Sequence, residues 1–176
     1  MRVFIAGGGW SGCGAAIQAA KMGAETVLME RTDMLLGTGL VGGIMRNNGR
    51  YTATEELIAM GGTEIFKAID NNYLHSEIGF PGHDHASLYN VATMEPIIRG
   101  LLQEHGVIIK TQARLTDVEM SGQTIKAVIF REKGEKENQR LAADVFIDTT
   151  GTAGPAANCN KYGNGCAMCV LRCHSF

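Results

Sequence analysis

Four consecutive apolar residues, Val3-Phe4-Ile5-Ala6, open the chain and predict a buried parallel strand. A glycine-rich turn follows over 7–12. The small-residue stretch Cys13–Met22 then predicts a helix, whose Ala15, Ala16, Ala19 and Ala20 suit close packing on a sheet and whose end is marked by Gly23. Thr26–Met29 predicts a second strand, closing at Glu30. Residues 31–53 read as a long glycine-rich loop, which in a compact domain is usually functional. Apolar Leu57, Ile58, Ile65, Phe66 and Ile69 predict a helix over Glu55–Asn71, weakened by Gly61-Gly62, while 72–92 is polar and irregular. Met94–His105 carries an apolar face of Ile97, Ile98, Leu101 and Leu102, with Thr93 as cap and Pro96 in the first turn. After Gly106 comes the strand Val107–Ile109. Short strands Leu115–Met120, Thr124–Arg131 and Arg140–Asp148 then predict a small antiparallel meander, with the charged run Glu132–Asn138 as a solvated hairpin. Together these predict an α/β fold: a Rossmann-like parallel sheet with helices and a small antiparallel β-meander.

Composition narrows the class. The chain has 176 residues, 45% apolar and 19% charged, ordinary values for a globular protein. A net charge of −2 offers no basic surface for nucleic acid, and no apolar run reaches the roughly 18 residues of a membrane span. The N-terminus lacks a signal peptide's apolar core, so a cytoplasmic, reducing location is expected. Glycine is abundant at 23 residues, without a collagen period, so the glycines serve turns and close backbone approaches.

Gly7, Gly9 and Gly12 form Gly-x-Gly-x-x-Gly between a predicted strand and a predicted helix, and Glu30 closes the second strand. Each piece has a physical task in holding a dinucleotide. Gly7 makes the tight turn, Gly9 admits a pyrophosphate to the backbone, and Gly12 lets the helix sit on the strand. The helix N-terminus offers N–H groups and positive dipole to phosphate, and Glu30 can accept hydrogen bonds from a ribose diol. The neighbours Trp10 and Ser11 lie on the same turn. Cys13 reads as a small buried residue. The motif itself leaves open FAD or NAD.

The order of these pieces resembles the FAD-dependent oxidoreductases with a glutathione-reductase-like FAD domain. The resemblance rests on Gly7–Glu30, Thr93–Ile109, the meander, and Phe146-Ile147-Asp148-Thr149-Thr150-Gly151, where Thr-Thr-Gly stands for the family's Ala-Thr-Gly. It implies an FAD-binding domain over 1–152 and a Cys/Gly-rich tail over 153–176. It also implies that Glu30 binds the adenosine ribose, that Arg31 borders the adenine, and that Gly37, Thr38 and Gly39 lie near pyrophosphate and flavin. Ala113 would contribute backbone contacts to adenine, and Thr150 and Gly151 would complete the cofactor set. The family's later Gly-Asp segment and substrate domain do not appear before Phe176. The FAD domain is therefore expected to be incomplete: either the polypeptide is cut short or another chain completes the site, and the partner expected is a second polypeptide finishing the FAD site and supplying the domain for a small-molecule substrate.

Four of the five cysteines, Cys159, Cys166, Cys169 and Cys173, fall in the tail. As thiolates they could hold an iron–sulfur cluster or zinc. Alternatively Cys166 and Cys169, a Cys-x-x-Cys pair, could form a catalytic redox dithiol facing the flavin, or the cysteines could be inert. His83-Asp84-His85 is read as surface. The leading functional expectation is an FAD-binding subunit or portion of an oxidoreductase. The competing ones are a non-enzymatic nucleotide-binding or electron-carrier module and an NAD-binding Rossmann domain.

Overall fold

The computed structural model of the chain describes residues 1–40, 44–46, 48–80 and 83–151. The chain divides into two compact units, one built from residues 1–37 and 102–151, the other from 38–101.

In the first unit, β1 (Arg2–Ala6), β2 (Glu25–Met29), β6 (Ile108–Lys110) and β10 (Val145–Asp148) form a four-stranded sheet in the order β10-β1-β2-β6. All three pairings are parallel, with Phe4 opposite Val27 and Phe146, and Leu28 opposite Ile109. Alternation then sorts the side chains. Phe4, Ala6, Val27 and Met29 form one buried face, and Val3, Ile5 and Leu28 are buried on the other. The helix α1 (Trp10–Lys21) packs on β1 and β2 and buries Gly12, Cys13, Ala16 and Ile17. The first face is covered by a meander of β7 (Ala113–Ser121), β8 (Thr124–Glu132) and β9 (Gln139–Ala142), in that order. Its Ala113, Val128 and Phe130 join Phe4, Ala6, Val27 and Met29 in one core cluster. Phe4 and Phe146 add a tilted aromatic contact at 6.1 Å between centroids. The expected α/β fold, a parallel sheet with an antiparallel meander, is the one observed.

The second unit contains an antiparallel sheet of β3 (Ile44–Arg46), β5 (His83–Tyr89) and β4 (Tyr73–Phe80), in the order β3-β5-β4. It also contains α2 (Asn48–Ala59), α3 (Thr63–Asp70) and most of α4 (Val91–Glu104). α3 buries Ile65, Phe66 and Ile69.

Several expectations need correction. α1 begins at Trp10, ahead of Cys13, because the turn itself closes the first helical bond, Cys13 N–H to Gly9 O at 2.9 Å. The expected loop over 31–53 contains β3 and the start of α2. The single helix over Glu55–Asn71 is two helices. The chain breaks at Gly61, whose φ of +101° no helix accommodates. The irregular stretch 72–92 is mostly the β4–β5 hairpin, whose repeated register shifts erase a clean two-residue alternation. α4 starts at Val91. Asn90 caps it, with its side-chain oxygen accepting the Ala92 N–H at 3.0 Å, so Thr93 is not the cap and Pro96 lies beyond the first turn. The fully buried stripe of α4 is Met94, Ile98 and Leu102. Arg140–Asp148 splits into β9 and β10, which belong to different sheets. The break is at Asp144, whose carboxylate accepts the Arg2 N–H at 2.6 Å and whose N–H donates to Arg2 O.

Phe130 is 2% exposed at the centre of the meander–sheet cluster. Phe130→Ala should cost about 3–5 kcal/mol in equilibrium urea unfolding. Met120→Ala, at an exposed position on β7, should change stability by less than about 0.5 kcal/mol.

Candidate functional site

The C-terminal ends of β1, β2 and β10 meet at the glycine turn, which is held from three sides. From β2, the Gly7 N–H donates to Met29 O at 2.8 Å. From β10, the Thr149 N–H donates to Ala6 O at 2.8 Å, and its hydroxyl lies 2.8 Å from both Ala6 O and Gly7 O. From the segment after β2, the Leu36 N–H donates to Gly8 O at 2.7 Å, and Leu36 forms a parallel bridge with Gly9. Leu36 is buried at a φ of +73°, a costly conformation for a bulky residue and one that clusters at functional sites.

Steric demand separates the glycines. Gly7 has a φ of +97°, and a Cβ there would lie 2.5 Å from Thr149 O. A Cβ on Gly12 would lie 1.9 Å from Gly7 O, so the helix can approach the turn only through a glycine. Gly9 is different. Its backbone is extended (φ −67°, ψ −178°), and a Cβ there would meet nothing within 4 Å. No side chain caps α1 at Gly9, and its first turn carries no acidic residue. The first amides of a helix lack intrahelical partners, so this end presents donors and positive dipole. Trp10 is half-buried and Ser11 exposed in that first turn.

Glu30 is 8% exposed. Its Oε2 accepts the Gly8 N–H at 2.8 Å and its Oε1 accepts the Thr32 N–H at 2.9 Å, with the Thr32 hydroxyl 3.0 Å away. A carboxylate has about four lone-pair positions, so capacity remains for hydroxyl donors. The backbone of Glu30 is also fixed, donating to Lys110 O and accepting from the Ala113 N–H at 3.1 Å. The N–H of Ala113 is thus committed to the protein. Arg31 is exposed beside this carboxylate.

Gly37, at φ +51°, sits against Gly9, a Cβ on it falling 3.7 Å from Gly9 Cα. Thr38 and Gly39 belong to the second unit, where Gly39 O accepts the hydroxyl of buried Tyr89. Beyond β10, Thr150 donates its N–H at 2.9 Å and its hydroxyl at 2.6 Å to the Asp148 carboxylate. These bonds hold the Asp148 carboxyl below its ordinary value. Gly151 follows at φ +62°. Cys13 is fully buried, its thiol 3.3 Å from Gly8 O, as suits a small packed residue.

The structure therefore brings Gly7, Gly9, Gly12, Glu30 and Gly37 together in one unit. It adds three residues that sequence reasoning missed. Gly8 and Leu36 were hidden as ordinary positions of the motif and loop. Thr149 stands at the alanine position of the family's Ala-Thr-Gly, and that departure was the available signal. Cys159, Cys166, Cys169 and Cys173 lie outside the described residues, as do the side chains of His83, Asp84 and His85. Among the described residues no group of His, Cys, Asp and Glu gathers to hold a metal ion, and no helix is long and apolar enough to cross a membrane.

Two substitutions on α1 should diverge. Gly12→Ala, forced against Gly7 O, should abolish a cooperative thermal transition, whereas Gly14→Ala, with open space around its Cβ, should stabilise by about 0.5–1 kcal/mol. Asp148 gives a pH signature. Its folded pKa is lowered, so its contribution is complete above the ordinary carboxyl range and is lost as pH falls through the folded value. Thr150→Val should therefore destabilise at pH 7, and the deficit should vanish well below pH of about 4 in acid unfolding curves.

The fold has many solved counterparts. The crystal structure of Thermovibrio ammonificans THI4 aligns over 92% of this chain and 62% of its own, at 19% identity and a TM-score of 0.60. The structure of native FqzB aligns over 93% and 38%, at 20% identity and 0.62. That of CabE, an aromatic hydroxylase from angucycline biosynthesis, aligns over 86% and 31%, at 15% identity and 0.61. At such identities the likeness shows the fold. The chain spans between about a third and three fifths of the length of these structures. No curated protein matches the sequence. The sequence profile described as FAD dependent oxidoreductase matches residues 2–159, nearly the whole chain. The protein belongs to the FAD-dependent oxidoreductase family.

Proposed function

We propose that this chain is the FAD-binding portion of an oxidoreductase, holding the pyrophosphate of FAD at Gly7–Gly12 and the adenosine ribose at Glu30. The observation that carries this is Gly9. The protein's own packing accounts for Gly7 and Gly12 but not for Gly9, whose missing side chain opens onto empty space above an uncapped helix end. A glycine there suits a phosphate group lying against the backbone. The residues fit the cofactor on three counts: a first helical turn without an acidic residue, space above Gly9, and a buried carboxylate with lone pairs to spare.

When bound, FAD supplies hydride or electron transfer. The chain's own residues do the positioning. The N–H groups at the start of α1 would donate to the pyrophosphate. Glu30, held by Gly8 and Thr32, would accept the ribose hydroxyls without reorganising. Arg31 would flank the adenine, with Ala113 beside it. Gly37, Thr38, Gly39, Thr150 and Gly151 would line the path toward the flavin. The remaining flavin contacts and the small-molecule substrate site would come from a second polypeptide. This agrees with β10 lying at an edge of the described sheet with Val145 exposed.

Gly9→Ala tests the assignment. The variant should keep the wild-type melting temperature without cofactor, because its Cβ meets no protein atom, yet lose at least about tenfold in FAD affinity, equivalent to about 1.4 kcal/mol, by flavin fluorescence titration. Unchanged FAD affinity would overturn the reading.

A further inference from the structure

The first unit carries a second concave feature that the glycine turn does not use. An open cleft of about 590 Å³ lies between the segment after β2 and the facing strands β7 and β8. Its volume falls within the range of small-molecule sites. Four cations line it: Arg31, Arg114, Arg131 and Lys133. All four are exposed, and none makes an ion pair or side-chain hydrogen bond to another described residue.

Their placement is unfavourable for the protein alone. Arg114 and Arg131 stand directly opposite each other in the β7–β8 register. Like charges in that relation destabilise a sheet. The flanking residues Ala113 and Phe130 point into the core, so alternation turns both arginines to the opposite face. The acidic residues of the cleft do not offset them. Glu132 is engaged by Lys110 at 2.6 Å, which leaves Asp33 and Glu135 against four cations. The cleft floor is also built with strain. Gln112 has a φ of +53°, fixed by its N–H to Thr32 O and by the Lys133 N–H to its carbonyl, both at 2.8 Å. That stitching holds the segments bearing Arg31, Arg114 and Lys133 around one space.

We propose that this cleft is a second anion site, which takes an oligophosphate group. Paired guanidinium forks match phosphate oxygens bidentately, and a multiply charged ligand would turn the Arg114–Arg131 repulsion into attraction. A single carboxylate would leave most of the four cations unanswered. The site shares Arg31 with the proposed adenine contact, but Arg114, Arg131 and Lys133 belong to it alone, and it does not require FAD at the glycine turn.

The test is calorimetric titration of the full chain, saturated with FAD, with inorganic pyrophosphate. Saturable binding of one pyrophosphate per chain is expected, weakening as salt rises. The double variant Arg114→Gln/Arg131→Gln should bind at least tenfold more weakly, with unchanged flavin content and a melting temperature no lower than wild type. Lys126→Gln, on β8 but outside the cleft, should bind as wild type does. Titration with ADP in parallel distinguishes the sources: equal affinity assigns the site to the phosphates alone, and tighter ADP binding assigns it to a nucleotide. Absence of saturable binding, equal binding by the double variant, or equal weakening by Lys126→Gln would overturn the proposal. So would a lower melting temperature of the double variant, which would mark the arginines as structural. Flavin absorbance records FAD occupancy separately, so a failure at the glycine turn and a failure at this cleft are read independently.

Discussion

A single residue, Gly8, is gripped through both of its backbone polar groups. The buried Glu30 carboxylate accepts its N–H, and the Leu36 N–H donates to its carbonyl. Charge-assisted bonds of this kind are the stronger class, and burial sharpens the cost of leaving either group unpaired. The grip fixes the glycine turn relative to β2 and to the segment that follows it. Everything else at the turn depends on that fixed position. Gly12 meets Gly7 O, Thr149 reaches Ala6 O and Gly7 O, and α1 starts at Trp10 with no side-chain cap. Glu30 thus has a structural role in the protein itself beside the ligand role that its position suggests.

The same constraint explains how the turn can be rigid and receptive at once. Two of the consensus glycines are consumed by packing, and only Gly9 faces space. A turn whose flanks are immobilised offers donors that need no reordering when a phosphate arrives, which is the physical content of preorganisation. The buried side chains beneath it, Phe4, Ala6, Val27 and Met29 against the meander, hold the strand ends that present it.

Much of this was legible in the sequence because it is local. The glycine spacing, the terminal Glu30 and the apolar run of β1 all lie within one strand–turn–helix–strand unit. The resemblance to FAD-dependent oxidoreductases rested on those residues and on Phe146–Gly151, and the family match agrees. What failed was non-local. The division between β9 and β10 has no glycine or proline to announce it. It is made by Asp144 pairing with Arg2, at the other end of the chain. The β4–β5 hairpin was hidden because its register shifts scatter apolar and polar residues across both faces. The helix cap was misplaced because Asn90 and Thr93 both suit the role, and Val91 and Ala92 between them gave no helical period to choose by. In the candidate site, Leu36 carried no signal at all, since its strained backbone is imposed by the bond to Gly8.

The central claim is that this turn exists to hold FAD. It is tested most directly by denaturing the natively purified protein, separating the released nucleotide by chromatography and quantifying it against chain concentration. The account predicts FAD, approaching one per chain and tracking the flavin absorbance of the intact protein. Release of NAD in its place, or a native protein that carries no nucleotide and gains none on incubation with FAD, would contradict it.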